Sequence, residues 1–350
     1  MARIDRYLVR NVFAMSALSG FVLVSMYTFV VLVADMGRLG TDGFSVRQLL
    51  SYAALSIPGN TYILLPVIAL LGTLLGLGHL AHHNELLVVR STGASWWRVA
   101  ATVVVGGIGL ALLGFVLGNW LAPAGQHMAD EIRQGRPASL GQLHWLRDGD
   151  DVVRIGGLRG TDDIENLSVY AQAPDHQLTG ILSARSGHYA DGQWQLQDVT
   201  QTVFGADGVR VEHHAHEVWR SGVTPNVLKL FVLENGDLSV WGLGNLIGYL
   251  HHNALSAQKY EILLWRKLVE PFSVLAMMLL AVPFAVAPKL RSSGVGQRLL
   301  IGVVIGIGFY ILDKVAVSLA GVYDWPAALS AAAPTFLLAL IGAWRLSRLR

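Results

Sequence analysis

Three groups of polar residues in this chain have types and spacings that could do chemistry. The first is an H-H-x-H cluster formed by His213, His214 and His216. On a strand, residues 214 and 216 face the same side, so their imidazoles could bind one metal ion. A solvated strand edge explains the same residues more simply, and no metal is predicted for the chain.

The second group is an acid and a base side by side in a long apolar run, Asp313 and Lys314. Charges inside a membrane are costly and usually face protein or water. Because consecutive helical residues point about 100° apart, these two cannot simply share one partner. Two interpretations remain open. Either the residues form a cavity or relay, as in a secondary transporter with its own ion site, or Asp313 snorkels or pairs locally near the outer end of its span.

The third group lies in HNELLVVRSTGAS, His83–Ser95, a polar-capped piece between two apolar runs. Asn84 can cap a helix that has Glu85 in its first turn, and Gly93 can end that helix in a left-handed conformation. We therefore predict a two-turn helix at about 84–93. The residues that share one side of it at helical spacing are Leu86, Val89 and Arg90.

Two roles fit this predicted helix. It could lie in the membrane interface, supported by the W-W-R that follows it, or it could be a coupling helix that docks into a groove on a separate ATPase. Glu85 favours docking slightly, because anionic lipid would repel a carboxylate that an arginine-lined groove would accept.

The composition indicates an integral membrane protein. Of the 350 residues, 53% are hydrophobic and 14% are charged, whereas a soluble domain has about 25% charged residues. The net charge of +2 and the absence of a basic, aromatic-interleaved stripe give no reason to expect a nucleic-acid partner. There is no cysteine, no G-x-x-x-x-G-K-[ST], no H-E-x-x-H and no G-x-S-x-G, so no catalytic residue is predicted.

Six runs are long and apolar enough to cross a bilayer, which takes about 20 residues. Their predicted bounds are Val12–Ala34, about Thr61–Leu80, Val99–Leu121, Pro271–Ala287, Leu299–Leu319 and Pro326–Trp344. Lysine and arginine concentrate at the N-terminus, after the second and fourth spans and at the C-terminus, which predicts that both termini are cytoplasmic.

A polar insert separates the third and fourth spans. Short β-rich runs such as QWQLQDVTQTVF alternate with turn signals such as RDGD and GADG, which predicts an all-β sandwich or jelly roll. The predicted topology places this domain outside the cytoplasm. The predicted domains are 1–129 with three spans and the short helix at about 84–93, 130–237 as the all-β insert, and 238–350 with an amphipathic connector and three spans; the family resemblance described below makes the short helix a coupling helix and the insert a β-jellyroll.

Glycines four residues apart occur at Gly72–Gly76, Gly114–Gly118 and Gly302–Gly306. This spacing lets helix backbones approach closely in lipid, although it also arises by chance in glycine-rich spans.

Three stretches carry a resemblance to a known family: GLGHLAHHNELLVVRSTGAS, GNWLAPAGQHMA, and the run from Tyr260 to Lys314 with its Y-x-x-x-x-W-x-K-x-x-x-P-x-S pattern. Together they resemble the LptF/LptG permease family of the bacterial lipopolysaccharide export machine. NWLAPAGQHMA and the residues around Trp265 and Pro271 resemble the LptG branch more than the LptF paralogue.

The resemblance implies a six-span inner-membrane exporter with a periplasmic β-jellyroll. Such a permease pairs with LptF, is driven by an LptB ATPase dimer and delivers lipopolysaccharide to LptC and the periplasmic bridge. ATP and Mg would then bind only to the partner ATPase, and this chain would hold no cofactor. By the same resemblance Glu85 is the carboxylate that engages the ATPase, with Leu86 and Arg90 beside it.

Substrate contacts also follow from the resemblance. Arg38 in ADMGRLG and Arg133 in MADEIRQGR, with Arg136 close by, match basic positions that meet lipid A phosphates. Ordinary interfacial anchoring is the alternative for Arg38 and Arg133. Apolar residues of the first and fifth spans should contact acyl chains, and the candidates by spacing are Met26, Phe29, Phe309 and Leu312.

Overall fold

The computed structural model describes residues 3–40, 45–91, 93–134, 144–149, 151–159, 162–173, 177–205, 208–225, 228, 238–253, 255–287, 295–323 and 325–349. By contacts the chain divides into two compact units. The membrane unit is Met1–Ala129 together with Glu261–Arg350, and the β unit is Asp130–Tyr260.

The helices include six that are long and apolar enough to cross a membrane, as predicted. The helices in the described residues are α1 Arg3–Asp35, α2 Val46–His82, α3 Glu85–Ser91, α4 Trp96–Val116, α5 Ala122–Gln134, α6 Val240–His252, α7 Gln258–Val286, α8 Val295–Tyr323 and α9 Ala327–Ser347. A 3₁₀ turn, Met36–Arg38, follows α1, and a π-helical turn, Leu117–Leu121, joins α4 to α5.

The helix that contains the predicted fourth span begins before the apolar run. We predicted a start at Pro271, after the charged residues, whereas α7 begins at Gln258 and runs unbroken through Arg266, Lys267 and Glu270. These charges lie within a helix long enough to span the membrane, and Arg266 and Lys267 have partners on neighbouring elements.

Helix α2 is the centre of the membrane unit and is its most buried span, while α1 and α8 are the least buried. Two glycines of α2, Gly72 and Gly76, lie directly against the backbone of α1. A Cβ atom at Gly72 would lie 2.5 Å from the Cα of Ser16, and one at Gly76 would lie 3.0 Å from the Cα of Val12. The Asn11 side-chain amide donates to the carbonyl of Gly76 at 2.9 Å. Because glycine has no side chain, these two positions of α2 let the backbone of α1 pack directly against them.

The other two glycine pairs lie on neighbouring helices, and side chains of α2 pack against them. On α4 and the π turn, Gly114 packs against Leu65 and Gly118 against Tyr62. On α8, Gly302 packs against Leu71 and Gly306 against Val67. The structure confirms that all three pairs lie at close helix contacts.

The β unit contains one antiparallel sheet whose described strands are paired in chain order. An inserted all-β domain is thus confirmed, with a meander order of strands rather than Greek-key crossings among the described residues. The strands are β1 His144–Asp148, β2 Asp151–Arg159, β3 Asp163–Gln172, β4 Leu178–Ala190, β5 Gln193–Gly205 and β6 Gly208–Trp219.

One face of this sheet is a hydrophobic core. Trp194 and Leu196 on β5 and Ile155 on β2 are fully buried. The indole N–H of Trp194 donates to the carbonyl of Val223 at 2.8 Å, so its polar atom is satisfied inside that core.

Helix α6 belongs with the sheet by contacts, although the sequence analysis grouped it with the last three spans. The Tyr249 hydroxyl donates to the carbonyl of Arg147, and the Gly149 N–H donates to the Asn253 side chain at 2.8 Å. Burial, with a smaller contribution from Asp148, raises the pKa of Tyr249 to about 12, so this phenol stays a donor at neutral pH.

The histidine cluster lies on β6, an exposed strand at one edge of the sheet. His213 contacts the hydroxyl of Thr200 at 3.0 Å, and His214 lies 3.7 Å from the carboxylate of Glu212. No group of three ligands that could hold a metal occurs among the described residues. These contacts fit the solvated strand edge.

The glycine contact between α1 and α2 predicts a stability difference. Gly72→Ala should cost about 1–3 kcal/mol, because the new methyl would meet the backbone of Ser16. Gly308→Ala is the matched control, since a Cβ there meets nothing within 4 Å and alanine favours helix. Thermal unfolding of the detergent-purified protein measures both, and equal midpoints would show that α1 and α2 do not pack at Gly72.

Candidate functional site

The loop between α2 and α4 forms the short helix that the sequence predicts. Asn84 adopts a left-handed conformation, with φ 58°, and its carbonyl accepts the N–H groups of Leu87 and Val88. Gly93, with φ 82°, follows the end of α3 in the left-handed region, and its N–H donates to the carbonyl of Arg90 at 2.9 Å. The chain therefore turns sharply at both ends of a seven-residue helix.

One side of α3 anchors it to the spans. Leu86 is 1% exposed and belongs to the same core cluster as Leu8 of α1 and Trp96 of α4, with Val89 packed against it. The guanidinium of Arg90 lies over the Trp96 ring, 4.9 Å from its centroid. The helix is thereby fixed in place by apolar contact and one cation–π contact.

The sequence analysis placed Leu86 beside Glu85 at the predicted ATPase contact. In the structure Leu86 packs into the core of the spans, and its role at a partner stays a prediction. Arg90 is exposed while its guanidinium lies on Trp96. The exposed apolar side chains of α3 are Leu87, 52% exposed, and Val88, 66% exposed. Apolar side chains exposed beside an acid at a loop are available to a partner surface.

Glu85 is half-buried and lies close to Tyr7 of α1, whose hydroxyl interacts with its carboxylate. Arg10 lies close enough to act on Tyr7 electrostatically. Sequence reasoning missed Tyr7. The signal available was a tyrosine among the charged residues of the first helical turns, which reads equally well as an interfacial aromatic residue.

The predicted acyl-chain contacts divide into two pairs. Met26 and Phe29 on α1 are 65% and 63% exposed, as residues facing lipid or a partner span should be. Phe309 and Leu312 on α8 are half-buried, and Phe309 packs against the core of the membrane unit. The α1 pair is therefore the more available to a ligand.

The predicted phosphate contacts are placed only by their backbone. Arg38 ends the 3₁₀ turn after α1, and Arg133 lies near the end of α5. The side chains of Arg38 and Arg133, and the whole of Arg136, lie outside the described residues. Their role as phosphate ligands stays a prediction.

Asp313 has a local partner. Its carboxylate lies 2.5 Å from the guanidinium of Arg266 on α7, and its side chain is 13% exposed. Lys314 is exposed, with its ammonium 5.5 Å from the ring centroid of Tyr310. The two residues therefore have different surroundings, which fits local pairing of Asp313 better than a relay through both.

Six apolar spans with an inserted β unit define a multi-pass membrane protein. Comparison with known proteins makes the class specific. The family model described as lipopolysaccharide export system permease LptF/LptG matches residues 6–348. The chain therefore belongs to the LptF/LptG family, is a lipopolysaccharide export permease and is a multi-pass inner-membrane protein.

Two relatives show the extent of the similarity. The chain is 31% identical over 353 residues to lipopolysaccharide export system permease protein LptG of Escherichia coli (strain K12), covering 99% of this chain and 98% of that protein. It is 27% identical over 354 residues to the protein of the same name from Haemophilus influenzae, with 99% of each covered.

The burial of Leu86 yields a direct prediction. Leu86→Ala should destabilise the protein by about 2–5 kcal/mol, because it opens a cavity in the core. Leu87→Ala removes the same atoms from an exposed position and should leave stability within about 0.5 kcal/mol of the original. Thermal unfolding of the two variants compares the two sides of α3. A larger loss for Leu87→Ala would show that the helix faces the other way.

Proposed function

We propose that this chain draws lipopolysaccharide from the outer leaflet of the inner membrane and passes it to a periplasmic bridge, using ATP hydrolysed by a separate subunit. The observation that carries the proposal is the outer side of α3. It presents Leu87, Val88 and Glu85 at a loop between spans, in a chain whose sequence has no P-loop of its own.

The partners follow from the same proposal. An LptB dimer, which binds ATP and Mg, docks on α3, and an LptF-type subunit completes the permease. LptC receives the lipid. The low burial of α1 and α8 leaves both spans open to a partner subunit or to lipid. The names of the relatives, which are export system permeases, support membership of the same system.

The orientation has both termini and α3 in the cytoplasm and the β unit in the periplasm. Its support is the distribution of short-loop cations, among them Arg90 and Arg98 around α3 and Arg345 and Arg348 after the last span. This orientation places the docking side of α3 where nucleotide is available.

The substrate path combines a charged rim and an apolar wall. Arg38, Arg133 and Arg136 would bind the phosphates of lipid A, because guanidinium groups can do so bidentately. The exposed Met26 and Phe29 would contact acyl chains, with the half-buried Phe309 and Leu312 contributing less. The β unit would accept the lipid next and deliver it to the bridge.

The role of α3 is tested with Glu85. Glu85→Ala should weaken binding of the ATPase subunit by about tenfold or more, because it leaves a cation of the docking groove unpaired. Glu85→Gln keeps the shape and separates charge from packing. The measurements are co-purification of the ATPase and lipopolysaccharide released per ATP hydrolysed. An intact complex with unchanged release would contradict the assignment of α3 as a coupling helix.

The charged rim is tested with Arg133. Arg133→Glu should reduce photocrosslinking of lipopolysaccharide to a probe on α5, because a carboxylate repels the lipid A phosphates. Arg185→Glu makes the same charge change at a strongly exposed position on β4 and serves as the control. Undiminished crosslinking in the Arg133 variant would contradict a phosphate contact and favour interfacial anchoring as the role of Arg133.

A further inference from the structure

A charged cluster lies inside the membrane unit, where α7 meets α8 and the π turn. Arg266 of α7 is bonded to Asp313 of α8 at 2.5 Å. The next residue, Lys267, turns toward a different neighbour, and its ammonium donates to the carbonyl of Gly118 at 2.6 Å. Two adjacent cations of one helix thus hold two separate elements.

The carbonyl that Lys267 binds belongs to the π turn Leu117–Leu121. A π turn departs from the i→i−4 pattern, so carbonyls at such a turn are suited to accept from other donors. Side chains donate to two carbonyls in and just before the turn, since Asn119 also donates to the carbonyl of Phe115 at 2.9 Å. A hydrogen bond from an ammonium is stronger than one between neutral groups, and more so away from water.

Tyr62 of α2 completes this junction. The Lys267 ammonium lies 5.6 Å from the centroid of the Tyr62 ring. The same ring packs against Gly118, where a Cβ atom would come within 2.5 Å of it. Lys267, Gly118 and Tyr62 therefore hold α7, the π turn and α2 together at one point.

Beyond the π turn, α5 lies against α2. A Cβ atom at Gly125 would lie 2.5 Å from the carbonyl of Leu55, and one at Gly59 would lie 3.9 Å from the Cβ of Ala122. The helix then runs unbroken to Gln134 and carries Arg133. Twelve residues of helix span about 18 Å, so a tilt of about 10° at the π turn would move Arg133 by about 3 Å.

We propose that Lys267 is a positioning residue for the substrate site. By holding the carbonyl of Gly118 it fixes the π turn, keeps α5 seated on α2 and so presents Arg133 to an anionic lipid headgroup. The proposal rests on the role proposed above for Arg133.

The seating of α5 can be measured without reference to transport. The chain has no cysteine, and the Cβ positions at 59 and 122 lie 3.9 Å apart, within the about 3.5–4.5 Å that a disulfide requires. In the full complex, Gly59→Cys with Ala122→Cys should oxidise rapidly to a disulfide. Adding Lys267→Met should slow this oxidation by about tenfold, because a hydrogen bond to a charged group is lost. Lys267→Arg, which keeps a cationic donor, should restore the rate.

Lys314→Met is the matched control, because it removes an exposed lysine from α8 with the same change in size and charge. It should leave the oxidation rate unchanged. An unchanged rate in Lys267→Met, or an equal slowing in Lys314→Met, would overturn the proposal.

A second readout tests the link to the substrate. A photoreactive residue at position 134 should crosslink lipopolysaccharide less in Lys267→Met and normally in Lys267→Arg, whereas one at Met26 on α1 should be unaffected. Normal crosslinking at 134 in Lys267→Met would overturn the link. If position 134 never crosslinks lipid although oxidation still depends on Lys267, the role of Arg133 is wrong while the positioning of α5 stands.

Discussion

The close approach of α2 to its neighbours is the constraint on which the membrane unit depends. Between helices in lipid there is little hydrophobic driving force, so van der Waals contact and hydrogen bonds must hold the spans. Glycine pairs on α2, on α4 with the π turn, and on α8 make such contact possible, because side chains or backbone of a neighbour fill each gap. Helix α3 follows α2 after a two-residue turn and is anchored to the same core through Leu86, so the loop helix is part of this packed centre.

The charged side chains of α7 inside the membrane unit hold neighbouring elements in place. Arg266 holds α8 through Asp313, and Lys267 holds the π turn through Gly118. Asp313 is bonded to the guanidinium of Arg266, a cation that stays protonated, so the pair balances its charge inside the unit.

Much of the fold could be predicted from the sequence because the signals are local. Apolar run lengths give the six spans, glycine spacing gives the close contacts, and Asn84 and Gly93 give the ends of α3. Helical spacing also placed Leu86, Val89 and Arg90 on one side of α3. It could not tell that this side faces the protein, because in a membrane chain both lipid and core accept apolar residues.

The parts that could not be predicted depend on distant contacts. Asp313 and Arg266 are 47 residues apart, and no periodicity links them. The π turn could not be predicted from hydrophobic periodicity, because an extra residue in a uniformly apolar run does not change the pattern of apolar and polar positions. Alternation in the insert predicts strands but not their order, which is a meander in the described sheet. Tyr7 was missed for the same reason as Arg266, because its partner Glu85 lies on another helix.

The source of energy for export can be measured by glycolipid release from proteoliposomes that contain the assembled complex, with a soluble acceptor for the lipid. Transfer to the acceptor is followed over time with ATP and no ion gradient, and then with a proton or sodium gradient and no nucleotide. A permease driven through α3 releases lipid only in the first condition. Release driven by the gradient alone would contradict an external ATPase as the source of power.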